Sequence, residues 1–213
     1  MKMKILLDPQ IFNQQTYGGI SRYYTEIFSE LEKREDVEVV LPIYYTDNFY
    51  LKTSNLLSKN KILVSFYNLL SSFKISTKTL RKKKSEKLLK QVCQDNNYDV
   101  FVPTYYNPYF IDLIGEKPFV LTIYDMIHEL CPAYFSHDPF RVTEHKKELI
   151  YKATRIIAVS HNTKKDILRI FPDIDSEKIH VIYHGSSIKI KEYSKVNLPK
   201  NYILYVGSRA DYK

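Results

Sequence analysis

Short apolar runs alternate with helix-patterned stretches along most of this chain. That alternation constrains its fold more than any other feature. Lys4–Leu7, Val37–Pro42, Asp99–Val102, Phe119–Ile123, Ile156–Val159 and Ile179–Tyr183 read as strands. Between them, Gly18–Lys33 carries Ile20, Tyr23, Tyr24, Ile27, Phe28 and Leu31 at helical spacing. Leu80–Asn96 and Thr143–Lys152 read as helices too. So does His161–Phe171, with Ser160 as its N-cap and Pro172 just past its end. The runs FVLTI and RIIAVS lack the polar alternation of a half-exposed strand, so both of their faces are covered. The predicted class is α/β: a Rossmann-like parallel sheet with helices on both faces. Asp47–Ser76, rich in tyrosine, serine and asparagine, shows no clear period.

The last thirteen residues, NYILYVGSRADYK, repeat the strand signal at Tyr202–Val206, followed by Gly207, Ser208 and Arg209. A strand leading into glycine and basic residues opens a new α/β unit with a phosphate-facing turn. The other reading pairs this strand onto the first domain's own sheet. The expected division is residues 1–198 as one Rossmann-like domain and 199–213 as the start of a second.

A chain of 213 residues, 44% hydrophobic and 26% charged, is long enough for one sizeable core and ordinary for a globular protein. No apolar run approaches the roughly 18 residues that span a bilayer. The apolar stretch in MKMKILLDPQ is too short for a signal peptide. Cys93 and Cys131 form neither a disulfide framework nor a zinc site and suit a reducing compartment. A cytoplasmic location is expected, extending to the inner face of the membrane. The net charge of +8 favours anionic partners. Its densest source is Arg81, Lys82, Lys83, Lys84, Lys87 and Lys90 on one helix, with Leu80, Leu88 and Leu89 as that helix's apolar contacts. Such a face is either solvated or docks on an anionic membrane surface. No nucleic-acid motif accompanies it, so nucleic acid is not an expected partner.

In a parallel sheet, ligands bind at the carboxyl ends of the strands. Gly18 and Gly19 stand where the chain enters a helix, so a backbone can come close to a ligand while free N–H groups face an anion; paired glycines also simply make tight turns. Arg22 adds a fork of donors. After Thr122 come Tyr124, Asp125 and His128. Asp125, the candidate catalytic residue, either orients a sugar hydroxyl or caps the following turn; His128 either bonds a hydroxyl and moves a proton or is a surface group. Ser160 is a helix cap that also faces the crevice. His180 and His184, four apart on a strand, are about 13 Å from each other, too far to share a metal. Asp173 and Asp175 form a D-x-D that reads as turn and capping chemistry. No metal site and no cofactor are expected.

YGGISRYYTEIFSEL, PFVLTIYDMIHELCPAYF, ATRIIAVSHNTKKDIL, KIHVIYHGS and ILYVGSRADYK occur here in one order. In that order they resemble glycosyltransferase family 4, whose members have the GT-B fold of two Rossmann-like domains facing across a cleft. The resemblance runs from about Lys4 to Lys213, outside Asp47–Asn96. It implies that this chain is the N-terminal, acceptor-binding half, with the first strand of the C-terminal half. It also implies a retaining transfer from a nucleotide sugar to a saccharide or lipid-linked acceptor, in cell-surface polysaccharide or lipopolysaccharide synthesis, without metal. Gly18 and Gly19 match the family's glycine loop near the donor diphosphate. Thr122–Asp125 matches its T-x-H-D motif with Tyr124 in place of the histidine, and that histidine's role does not pass to His128. Arg209 and Lys213 match the basic pair on the donor phosphates. The family's two spaced glutamates would lie beyond Lys213, so these residues are expected to fold but not to catalyse alone. The alternative is a non-catalytic saccharide- or membrane-surface-binding module.

Overall fold

The computed structural model describes residues 2–57, 78–135, 137–138, 140–186 and 197–206. Its strands are β1 (Met3–Leu7), β2 (Val37–Val40), β3 (Val100–Val102), β4 (Val120–Ile123), β5 (Arg155–Ala158) and β6 (Ile179–Val181). All pair in parallel, as β2-β1-β3 and as β4-β5-β6. A single bridge, Phe101 to Phe119, with the Phe101 N–H donating to the Pro118 carbonyl at 2.9 Å, joins the two sets. Read across that bridge the order is β2-β1-β3-β4-β5-β6.

Among the described residues the helices are α1 (Gln10–Gln14), α2 (Gly19–Leu31), α3 (Phe49–Lys52), α4 (Lys78–Asp95), α5 (Ile111–Ile114), α6 (Ile127–Leu130), α7 (Val142–Lys152) and α8 (His161–Ile170). β1 shows how they cover the sheet. Side chains alternate faces along a strand. Ile5 and Leu7 pack with Tyr24 and Phe28 of α2, whereas Leu6 packs with Leu89 and Cys93 of α4. Helices therefore lie on both faces, and Leu6 and Leu7, both fully buried, each contribute about 2 kcal/mol of apolar burial. α8 begins where expected, its Ser160 hydroxyl accepting from the Thr163 N–H at 3.0 Å.

Three expectations change. Leu80 is half exposed, and α4 instead buries Ser85, Leu89 and Cys93, at i, i+4 and i+8. Arg81 turns inward from the basic face, ion-paired with Asp47 and with its guanidinium 5.6 Å from the Tyr45 ring. Tyr202–Val206 forms no strand and stands exposed, Ile203 almost completely so. A strand needs a neighbour to complete its hydrogen bonds, and no β-ladder among the described residues includes this run. In the stretch that sequence left unread, Asn48 caps α3 by accepting from the Leu51 N–H at 3.0 Å and ties it down by donating to the Gln15 carbonyl at 2.8 Å.

Candidate active site

The strand order reverses between β1 and β3, and there the carboxyl ends of neighbouring strands diverge into a crevice. Asp8, the first residue past β1, fills the root of that crevice. Its carboxylate accepts from the Gln10 N–H (3.2 Å), from the Thr104 N–H (3.2 Å) and hydroxyl (3.3 Å), and from the Tyr109 hydroxyl (2.5 Å). The side chain is fully buried. Burial pushes its carboxyl up to about 6, against the pull of these hydrogen bonds. Asp8 thus fastens β1, α1 and the exit of β3 together from below.

Above it lies a cluster of tyrosines. Tyr23 packs on Tyr24 (5.0 Å between rings) and on Tyr124 (5.9 Å), and Tyr124 meets Tyr106 (6.5 Å). The Tyr24 hydroxyl donates to the Pro103 carbonyl at 2.9 Å. Burial raises the phenols of Tyr24, Tyr106 and Tyr124 well above their ordinary range, so they remain neutral donors and acceptors. His184, leaving β6, stacks on Tyr23 at 4.6 Å and meets Tyr124 edge-on at 6.0 Å. Partial burial lowers the His184 pKa, keeping its imidazole neutral near pH 7.

Beside this cluster Gly19, Arg22, Tyr23, Ile27, Tyr183 and His184 line a groove of about 670 Å³. Gly18 is the N-cap of α2, and its φ of 172° is ordinary extended backbone. A Cβ there would come 2.1 Å from the Gln15 Oε1, so a larger residue would push the flexible end of that side chain aside. That oxygen accepts from the Ser21 N–H at 3.2 Å and so occupies one of the helix's free donors. Arg22 is drawn to Glu26 at 3.5 Å and lies 5.9 Å from the Tyr50 ring. The groove joins an aromatic wall, the guanidiniums of Arg22 and Arg34, the carboxylates of Glu26 and Glu30, a neutral imidazole and a helix start, so it offers both donors and acceptors to the hydroxyls of a sugar ring.

The remaining candidates sit around Tyr124. Ser160 reaches it through Thr163, whose hydroxyl is 3.0 Å from the Ser160 Oγ and 3.5 Å from the Tyr124 carbonyl. Asp125 and His128 are not among the residues lining the groove. The Asp125 carboxylate accepts from the Ile127 N–H at 3.1 Å, the turn-capping role weighed from sequence. His128 stacks on Phe135 at 4.0 Å. Its Nδ1 is buried without a hydrogen bond among the described residues, and burial first, then the charge of Lys146, lowers its pKa. Asp175 does cap a turn, accepting from the Glu177 N–H at 2.9 Å, whereas Asp173 makes a tertiary contact, accepting from the Tyr151 hydroxyl of α7 at 2.8 Å. Arg209 and Lys213, with Gly207 and Ser208, lie outside the described residues.

Comparison with known protein families places this arrangement. The model of Glycosyltransferase Family 4 matches residues 17–188. The chain belongs to glycosyltransferase family 4. The matched stretch opens at the glycine loop of α2 and closes just past His184, so it spans the described groove. A comparison with curated proteins finds no match. Among solved structures, the chain is similar to Anabaena HepE, crystallised in complex with UDP and glucose, at 18% identity and a TM-score of 0.45. That similarity covers 87% of this chain and 45% of the other, so the chain spans under half the length of that structure.

Of the residues singled out from sequence, Gly19 and Arg22 line the groove, Gly18 caps α2 beside it, and Tyr124 and Ser160 lie outside its lining; sequence reading missed Tyr183, His184 and the buried polar supports. Asp8 had a signal, since it directly follows an apolar strand at the carboxyl edge. Lys146 had one too: Val142, Lys146, Leu149 and Ile150 share the buried stripe of α7.

Proposed function

We infer that this chain is the acceptor-side domain of a retaining glycosyltransferase, which moves a sugar from a nucleotide donor to a saccharide or lipid-linked acceptor at the cytoplasmic face of a membrane. Residues 1–198 make up that domain, and 199–213 begin the nucleotide-sugar-binding domain. The observation that carries this reading is the family match over residues 17–188, laid on a sheet whose strand exits bring the glycine loop, Tyr124 and Ser160 to one edge. In the reaction, the bond from the anomeric carbon to the diphosphate breaks and negative charge grows on the leaving group. Donors at the start of α2, Arg22, and Arg209 and Lys213 are the groups on this chain suited to that charge, with no metal involved. Tyr124, His128 and Ser160 are proposed to hold substrate hydroxyls, and Asp125 to orient the acceptor.

The lipid-linked acceptor is favoured by α4. With Arg81 turned inward, Lys83, Lys87 and Lys90 remain exposed at i, i+4 and i+7, and half-exposed Leu80 continues the same face. Three ammonium groups and an apolar side chain on one face fit an anionic lipid surface. No helix among the described residues is long and apolar enough to cross a membrane.

The test is a transfer assay on the full-length protein with a panel of radiolabelled nucleotide sugars and lipid-linked or free saccharide acceptors. Transfer with the anomeric configuration kept, and undiminished by EDTA, is the expected result. Inversion at the anomeric carbon, or a strict Mg²⁺ or Mn²⁺ requirement, would overturn the reading.

A further inference from the structure

The loop leaving β4 is gripped from two sides. Lys146, on α7, has a completely buried side chain. Its Nζ donates to the Asp125 carbonyl at 3.1 Å and to the Glu129 Oε2 at 3.0 Å, and lies 5.1 Å from the Tyr106 ring centre. The Tyr106 hydroxyl in turn accepts from the Tyr124 N–H at 3.2 Å. Two successive residues of the family's middle motif are thereby fixed by their backbones, Tyr124 through its N–H and Asp125 through its carbonyl.

This arrangement is poorly explained by stability. A buried ion pair loses two hydration shells, and well-packed apolar side chains of similar volume often hold a fold as well or better. Here the cost is raised further, because the Glu129 Oε1 is buried with no hydrogen bond among the described residues. What an apolar side chain at position 146 could not do is donate to the Asp125 carbonyl. We propose that Lys146, with Tyr106 as its counterpart, is a positioning residue for sugar transfer, fixing the backbone of Tyr124 and Asp125 at the site's edge. This rests on the reading of the chain as a glycosyltransferase. Lys146 acts through the loop and not by touching substrate. Small errors in placing groups around a reacting centre are costly, a misplacement of about 1 Å taking up to about 100-fold from the rate.

The informative variant is the double substitution Lys146→Met/Glu129→Leu in the full-length protein, because Lys146→Met alone strands a buried carboxylate. The double variant should melt near the wild-type temperature. The Tyr124 amide should exchange with solvent about tenfold faster, while the ladder amides of Leu121 and Ile123, which face β5, keep their wild-type rates. Turnover should fall by about ten- to a hundredfold with KM for the donor unchanged. Wild-type exchange at Tyr124, or wild-type turnover, in a folded double variant would overturn the proposal. If the double variant does not fold, Tyr106→Phe removes only the hydroxyl and decides instead: faster Tyr124 exchange and lower turnover support the clamp, and no change in either refutes it. Absence of transfer by the wild-type protein would defeat the functional reading, and the exchange rates would still judge the clamp.

Discussion

Asp8 holds its carboxylate inside the sheet on four hydrogen bonds. Its folded pKa of about 6 lies above the ordinary 3.8, so the folded chain binds that proton more tightly than the unfolded one. The group therefore favours folding most below about pH 4. That advantage, roughly 3 kcal/mol, is lost as pH rises towards about 6, and above this no further loss comes from Asp8. Asp8→Asn cannot ionise and should remove this fall. Urea denaturation of both proteins in steps from pH 4 to 7 measures it, and equal pH slopes would refute the account. Half of this was legible in sequence. A carboxylate directly after an apolar strand marks the carboxyl edge where parallel sheets bind ligands. The enclosure was not legible, because Thr104 and Tyr109 close over Asp8 from 96 and 101 positions away. The same holds for Gly18: the turn is visible in the pair of glycines, but not the Gln15 amide that fills the space beneath.

Among the elements, α4 separates what composition can say from what folding adds. Six basic residues read as one patch in the sequence. The structure sorts them by phase, spending Arg81 on Asp47, setting exposed Lys82 3.8 Å from Glu86, and leaving Lys83, Lys87 and Lys90 facing out. If the outer face meets anionic lipid, each lysine near the surface is worth about 1 kcal/mol. Replacing all three by serine should then weaken binding to vesicles containing phosphatidylserine by roughly 100-fold, since about 1.4 kcal/mol is a factor of ten. Wild-type binding should fade with salt and be absent on neutral vesicles. Cosedimentation measures this, and equal binding to neutral and anionic vesicles, or none to either, would reject docking. The long helices were legible from residues at helical spacing, and the six described strands because each is a short apolar run between them. α1, α3, α5 and α6 are only four or five residues long, too short to show a period, and are set by tertiary contacts instead. α6 matters most among them, since it carries His128 and Glu129.

At the scale of the molecule, continuous apolar strands alternating with helices were enough to read a parallel sheet covered on both faces. They were not enough to read the order of its strands, which is settled by which neighbours meet. Nor did they show that β3 and β4 touch through one bridge. Aromatic packing holds that seam: Phe110 lies 4.5 Å from Phe101 and 5.5 Å from Phe119, ring centre to ring centre. Phe110→Ala should cost about 3–5 kcal/mol. Signals from the two three-stranded sets, followed by amide exchange in low denaturant, should then no longer coincide. Coincident opening of both sets in that variant would show that the seam is not the weak joint.

A ladder of hydrogen bonds shares a mechanical load among its rungs, and a single rung cannot. Pulled apart along the hydrogen-bonding direction, the sheet would yield first between β3 and β4, parting into two pieces that each keep three strands. Tension applied across this domain would thus be felt first at the exits of β3 and β4, where Thr104 holds Asp8 and where Tyr124 stands.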